Sequence, residues 1–323
     1  MERSKLIPRS LEEIRKTMME FKNLKNEKDY GLIREKFFEL FGIFPLSVMF
    51  NETQTLKHLP LYRACPADKV FKRGKFDLES YMGPPKFREV GNGRANWNGR
   101  NVFYAGDSPY VTIVENKKVE LGQEYFVGQW EIDVDKIIED EVPISYLTHN
   151  NLTEDNPWNI IIPTKQQMID ELVLNFNVER TEAELFVGFV SELSSLFCED
   201  NVGYNLSAFI GDNTLYSDNN KKFIPKILIY PSIETSKNRC NIAINPDFAQ
   251  QYLRLKKVVK IKISELHEEG FKADYSVIGQ LELGKVQFYH FNFDRSKAVY
   301  KIESFKCGCG CSFRLKDPEK LLI

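Results

Sequence analysis

The residue types best suited to chemistry cluster between positions 91 and 115. Arg94 sits in a polar stretch carrying Gly91, Gly93 and Gly99; Tyr104 falls in the short apolar run 102–105; Glu115 ends the segment opened by Ser108 and Pro109. Glycines permit positive φ and a close approach of backbone to a ligand. A guanidinium, an aromatic ring and a carboxylate from three successive elements, converging in one cleft, would bind a phosphorylated substrate and stabilise a developing positive charge.

The elements that must position these groups can be read from periodicity and capping. Residues 102–105 read as a strand. Ser108 is an N-cap with Pro109 at the first helical position, and Val111 and Val114 lie on one side of the helix that follows. Upstream, a helix is expected over 10–22, with Ser10 and Glu13 as a capping box and Leu11, Ile14, Met18 and Phe21 on one face. A second is expected over 31–41 with Ile33, Phe37 and Leu40 inward. Residues 59–65 read as a strand containing Arg63, and 124–134 as an alternating strand with Tyr125, Val127, Trp130 and Ile132 apolar. Thr164 with Gln167 caps a helix through Phe176, and Thr181 with Glu184 caps another, with Leu185, Phe189, Leu193 and Leu196 as its buried stripe. Residues 201–220 read as polar, with Tyr204 and Tyr216 lining a site. Strands at 226–230 and 241–244 precede a short helix from Pro246 to Leu253. Runs at 258–263, 273–283, 286–291 and 298–305 suggest an antiparallel β extension.

Composition narrows the class. The chain has 323 residues, 42% hydrophobic and 28% charged, with a net charge of −2. These values suit a globular protein and favour no polyanion such as nucleic acid. No run approaches the roughly 18 apolar residues of a membrane span, and the first residues lack the apolar core of a secretory signal. Six cysteines in such a length do not suggest a disulfide scaffold, so a reducing cytoplasm is expected.

Three other chemistries fit the residues less well. Gly91-Asn92-Gly93 imitates the start of a dinucleotide fingerprint, but Asn96 occupies the third glycine position and no clear strand precedes it. Ser232 as a hydrolase nucleophile lacks the G-x-S-x-G elbow, and His58, His149, His267 and His290 stand in no triad context. Cys307, Cys309 and Cys311 would share one face of a strand and suit zinc or copper(I), yet C-x-x-C knuckles and a fourth ligand are missing, so no metal is expected. Cys65, Cys198 and Cys240 adjoin apolar segments and read as small core residues.

The order of G-R-x-N-x-x-G at 93–99, F-Y-A at 103–105, V-E at 114–115, Y-P-S at 230–232 and an apolar strand beginning at Asn241 resembles the RES domain family. Tyr62-Arg63-Ala64 resembles the strand that opens that domain. The resemblance spans roughly residues 59–250 and implies an α+β fold, an ADP-ribosyltransferase-like split β-sheet with N-terminal and inserted helices. It divides the chain into an N-terminal helical region (1–58), a catalytic domain (59–250, helical insertion about 147–222) and a C-terminal β extension (251–323).

The resemblance also implies chemistry. Family members consume NAD+, as substrate rather than cofactor, by breaking the nicotinamide–ribose bond through an oxocarbenium-like state. Glu115 would hold a ribose hydroxyl and stabilise the cation; Arg94 and Arg63 would grip phosphate; Tyr104 would line the nicotinamide pocket. Ser232 would hydrogen-bond the amide or ribose, and Asn241 would orient a loop or ligand. Nicotinamide leaves as a neutral base, so no strong acid is required. Three functions remain open: an NAD+ glycohydrolase or phosphorylase acting as a growth-arresting toxin, an ADP-ribosyltransferase, and a catalytically silent nucleotide-binding or interaction module. Toxins of the family are paired with an antitoxin protein, a candidate partner. The chain departs from the family at Ala95, at Ile233-Glu234 after Y-P-S, and in the segment before Glu115, which affects the acceptor and the pocket shape more than the fold.

Overall fold

A computed structural model describes residues 7–72, 75–76, 83, 91–116, 119–148, 152–200, 203–216, 224–267, 270–282 and 285–288, with short pairs at 305–306, 312–313 and 321–322. In chain order the helices are α1 (Leu11–Lys22), α2 (Tyr30–Phe41), α3 (Ala67–Val70), α4 (Pro109–Val114), α5 (Lys165–Phe176), α6 (Arg180–Glu199), α7 (Asn205–Tyr216) and α8 (Pro246–Tyr252). The principal strands are β1 (Val48–Glu52), β2 (Leu61–Pro66), β3 (Phe71–Lys72), β4 (Lys75–Phe76), β5 (Phe103–Gly106), β6 (Glu124–Ile132), β7 (Glu141–Tyr146), β8 (Ile227–Pro231), β9 (Cys240–Ile244), β10 (Leu253–His267), β11 (Gly270–Glu282) and β12 (Lys285–Phe288). The class is α+β. Two compact units share the chain, one built from Met1–Asn51, Lys86–Val102 and Glu141–Pro246, the other from Glu52–Pro85, Phe103–Asp140 and Asp247–Ile323.

In the first unit β1, β7, β8 and β9 lie side by side, with β7 and β8 parallel and β8 and β9 antiparallel. Its helices meet through phenylalanines. Phe37 lies 4.8 Å from Phe41, and Phe41 stacks on Phe189 at 4.7 Å. Such pairs contribute beyond the area they bury. Ser10 Oγ accepts from the Glu13 N–H, but the Glu13 carboxylate accepts from the Arg9 N–H, so only half of the expected box forms. In α2 Phe41 takes the buried place expected for Leu40, because the helix begins at Tyr30 and its inward stripe runs Ile33, Phe37, Phe41. The box at α5 forms in full, with Thr164 and Gln167. Helix α6 starts at Arg180 behind Glu179, without a side-chain cap, so Thr181 lies inside it. Leu185 is only partly covered, while Val187, Val190 and Phe197 join Phe189, Leu193 and Leu196 inside.

The polar stretch expected at 201–220 contains helix α7, buried nearly all round. Its Asn, Ser, Asp and Thr side chains mask it in sequence, because they bond inside the protein. Thr214 Oγ1 donates to the Ile210 carbonyl at 2.8 Å, and Asn213 Nδ2 to that of Phe209 at 2.9 Å.

In the second unit the strands run β5, β2, β6, β10, β11, β12, and every described pairing among them is antiparallel. Strand β10 hydrogen-bonds to β6 along most of its first half, from Leu253 opposite Ile132 to Lys262 opposite Glu124. Strand β6 is buried on both faces rather than alternating, since Phe126 and Ile132 lie on one side and Tyr125 and Val127 on the other. Helix α4 packs Ile113 onto one face with Tyr62, Tyr125, Val127, Ile261 and Ile263. The strand expected at 298–305 falls mostly outside the described residues.

Candidate functional site

The loop carrying Arg94 is pinned by its own backbone. Gly93 and Asn96 bond to each other at 3.1 and 3.3 Å, and Asn96 Nδ2 donates to the carbonyls of Gly91 and Trp97 at 3.2 Å each. Ala95 is buried against α7, where a Cβ on Gly211 would stand 2.5 Å from the Ala95 Cα. Only glycine lets the helix and the loop backbone approach this closely. Arg94 Nη1 then donates to three carbonyls at the end of α6: Phe197 at 2.8 Å, Cys198 at 3.1 Å and Asp200 at 2.9 Å. Its guanidinium carbon lies 5.1 Å from the Tyr204 ring centroid. The last carbonyls of a helix lack intrahelical donors and carry partial negative charge, which a cation satisfies. Arg94, expected to grip phosphate, has this donor nitrogen committed to the fold.

Ser232 and Asn241 flank a hairpin in the same unit. Tyr230 stands opposite Asn241, so their side chains share a face, and Ser232, two residues on, continues it. The Ser232 N–H donates to the Arg239 carbonyl at 2.8 Å, and the Ser232 carbonyl accepts from the Lys237 N–H at 2.8 Å. Ser232 is fully buried and Asn241 nearly so. Helix α6 covers this face, with Phe197 edge-on to Tyr230 at 5.1 Å. Arg94 therefore acts one step away, through the helix end that carries Phe197. Burial pushes the Cys198 thiol up to about 11, against weaker opposing effects of Arg94 and Lys237, and makes it a poor nucleophile.

The other three candidates belong to the second unit. Ser108 Oγ accepts from the Val111 N–H at 3.3 Å and Pro109 opens α4, as expected. Glu115 is the C-cap, half-buried, its N–H donating to the Val111 carbonyl at 3.0 Å. Tyr62 pairs with Gly106, so Tyr104 shares the sheet face of Tyr62 and Ala64, the face onto which α4 packs. Arg63 faces the other way. Its guanidinium carbon lies 4.9 Å from the Phe103 ring centroid, and Nη1 donates to the Tyr104 carbonyl at 3.3 Å. Arg63 and Tyr104 are thus neighbours on adjacent strands, on opposite faces. The register decides this, and neither segment alone discloses it.

Two groupings are invisible in the sequence. Buried Asp212 accepts from Tyr30 Oη at 2.7 Å and from Arg100 Nη1 at 2.9 Å. Arg100 also lies over the Tyr216 ring, Trp97 meets Tyr30 edge-on at 5.1 Å, and the Tyr216 hydroxyl donates to the Asn101 carbonyl. Burial, reinforced by the Asp212 hydrogen bond, raises the Tyr30 hydroxyl far above its ordinary range. Tyr216 is thereby part of the packing around α7. The second grouping sets Phe103 edge-on to Trp130 at 5.4 Å and 4.9 Å from the Arg63 guanidinium carbon. No local signal marks the first, whose Tyr30 and Asp212 are 182 residues apart.

Cys65, Cys198 and Cys240 are buried and in no disulfide, as expected of core residues. Among the described residues no group of His, Cys, Asp or Glu is arranged to hold a metal ion. Cys307, Cys309 and Cys311 lie outside the described residues. No helix among the described residues is long and apolar enough to cross a membrane. No protein-family model matches the chain, and no curated protein matches it.

Proposed function

We propose that this chain degrades NAD+ by cleaving the nicotinamide–ribose bond, as a glycohydrolase or phosphorylase on an ADP-ribosyltransferase-like split sheet. One observation carries the reading. Glu115, half-buried, closes the helix that packs onto the sheet face bearing Tyr104. An oxocarbenium-like state requires a negative charge near the ribose and a surface for a flat leaving group, and a carboxylate carried at a helix end beside an aromatic-rich face would supply both. Arg63 lies on the opposite face of this sheet, and Arg94, Ser232 and Asn241 belong to the other unit, so the roles proposed here are those of Glu115 and Tyr104. NAD+ is the substrate and no cofactor is called for. A growth-arresting role in the cytoplasm with a cognate antitoxin completes the proposal.

A second reading, a nucleotide-binding module without turnover, is favoured by the commitment of Arg94 to helix carbonyls. Labelled NAD+ separates the possibilities. Free nicotinamide with ADP-ribose, or its phosphorylated form, supports the proposal. Label on an acceptor identifies a transferase, and intact NAD+ the silent module. Glu115→Gln, shown to be folded by circular dichroism, is expected to turn over NAD+ at least about a hundredfold more slowly. Undiminished turnover removes Glu115 from the mechanism.

A further inference from the structure

Glu115 closes a helix of only six residues. Helices this short do not hold themselves together in water, so a group at the end of one is only as fixed as whatever anchors the last turn. One anchor is the sheet. A Cβ on Gly106 would stand 2.9 Å from Val111 Cγ1 and 2.9 Å from Thr112 Cγ2, so α4 sits against β5 with no side chain between them. The other is Asn116. The helix tightens at its end, and the Asn116 N–H donates to the Ile113 carbonyl at 3.0 Å, three residues back. In a regular α-helix that N–H would serve the Thr112 carbonyl. The Asn116 side chain takes its place, Nδ2 donating to the Thr112 carbonyl at 2.7 Å. An asparagine after a helix often serves by adopting the left-handed conformation. Asn116 does not, so its use here is the side-chain amide.

The peptides on both sides of Glu115 are tied as a result. Its own N–H donates to the Val111 carbonyl at 3.0 Å, and the next residue closes the turn twice. We propose that Asn116 is a positioning residue, which holds the end of α4 so that the Glu115 carboxylate meets the ribose without rearrangement of the backbone. A preorganised charge acts on the transition state more than on the bound substrate, so Asn116 should govern kcat rather than KM. This inference rests on the role of Glu115 proposed above.

Asn116→Leu removes the donor at nearly constant size, and Asn116→Ser keeps a hydroxyl able to bond the carbonyl four residues back. With NAD+ as substrate, the leucine variant should lose about tenfold or more in kcat with KM within about twofold, the consequence of a displaced catalytic group. The serine variant should recover part of that loss. In 15N-labelled full-length protein the Glu115 amide should exchange with solvent about tenfold faster in Asn116→Leu, the scale of one lost hydrogen bond. A purely structural contact would lower stability and leave kcat as it was. With wild-type turnover in hand, an unchanged kcat or unchanged Glu115 exchange in Asn116→Leu, a change confined to KM, or equal losses in the two variants overturns this inference and leaves the function standing. Wild-type protein that leaves NAD+ intact overturns the function, and the catalytic use of Asn116 with it. Should Asn116→Leu not fold, Asn116→Ala carries the same test.

Discussion

Arg94 and Arg63 are both expected from the sequence to hold phosphate, and the structure gives them different circumstances. Arg94 spends one nitrogen on three backbone carbonyls at the end of α6 and lies over Tyr204. Arg63 donates to the Tyr104 carbonyl at 3.3 Å and lies over the Phe103 ring, on the sheet face that also carries Trp130. The first guanidinium completes a helix; the second extends an apolar face with charge. A glycine-rich loop around an arginine does not by itself leave its guanidinium to a ligand. The elements packed against each decide its use.

This contrast can be broken by substitution. Gly211→Ala should have the largest effect on stability, about 3 kcal/mol, because the new methyl meets loop backbone, which cannot swing aside. An unchanged urea midpoint would show that the loop carrying Arg94 is not held by α7. Arg94→Ala should cost about 2 kcal/mol by orphaning helix-end carbonyls, with Arg94→Lys recovering part of it. Stability equal to wild type would return Arg94 to the ligand role. Arg63→Ala should cost only about 1 kcal/mol, the scale of a cation–π contact. A larger loss than for Arg94→Ala would invert the comparison.

The smallest effect belongs to Glu131 in the unit that carries Arg63. Burial alone would push its carboxyl up, but hydrogen bonds from Lys256 and Arg254 outweigh this and hold it below its ordinary 4.5. A carboxyl depressed in the folded state contributes stability above its unfolded value, and that stability is lost as pH falls below about 4.5 through the folded value. Glu131→Gln should therefore lower stability at neutral pH and flatten the acid limb of a stability–pH curve. An acid limb identical to wild type would show that the pair is not coupled to folding.

Local signals in the sequence are the dependable ones. Thr164 with Gln167, and Ser108 with Pro109, announce their helices because cap chemistry is complete within a few residues. Helix α7 hides in the sequence because buried Asn, Asp and Thr side chains imitate a loop until their partners are known, and Thr181 imitates a cap although α6 has already begun at Arg180. The candidate site is legible as residue types but not as orientation. Tyr62 opposite Gly106 puts Arg63 and Tyr104 on different faces, and that pairing spans 44 positions that no local pattern encodes. In sequence Trp130 reads as one apolar member of a strand; that its N–H finds no acceptor among the described residues is visible only in the fold.

The two units are braided along the chain, each taking three separate stretches of it. Neither can be excised as one continuous fragment. A chain cut short near residue 246 would strip β6 of its β10 neighbour, exposing a raw ladder of amides and carbonyls prone to self-pairing. Dissection of this protein is better attempted by splicing short connections across the removed stretches than by trimming from either end.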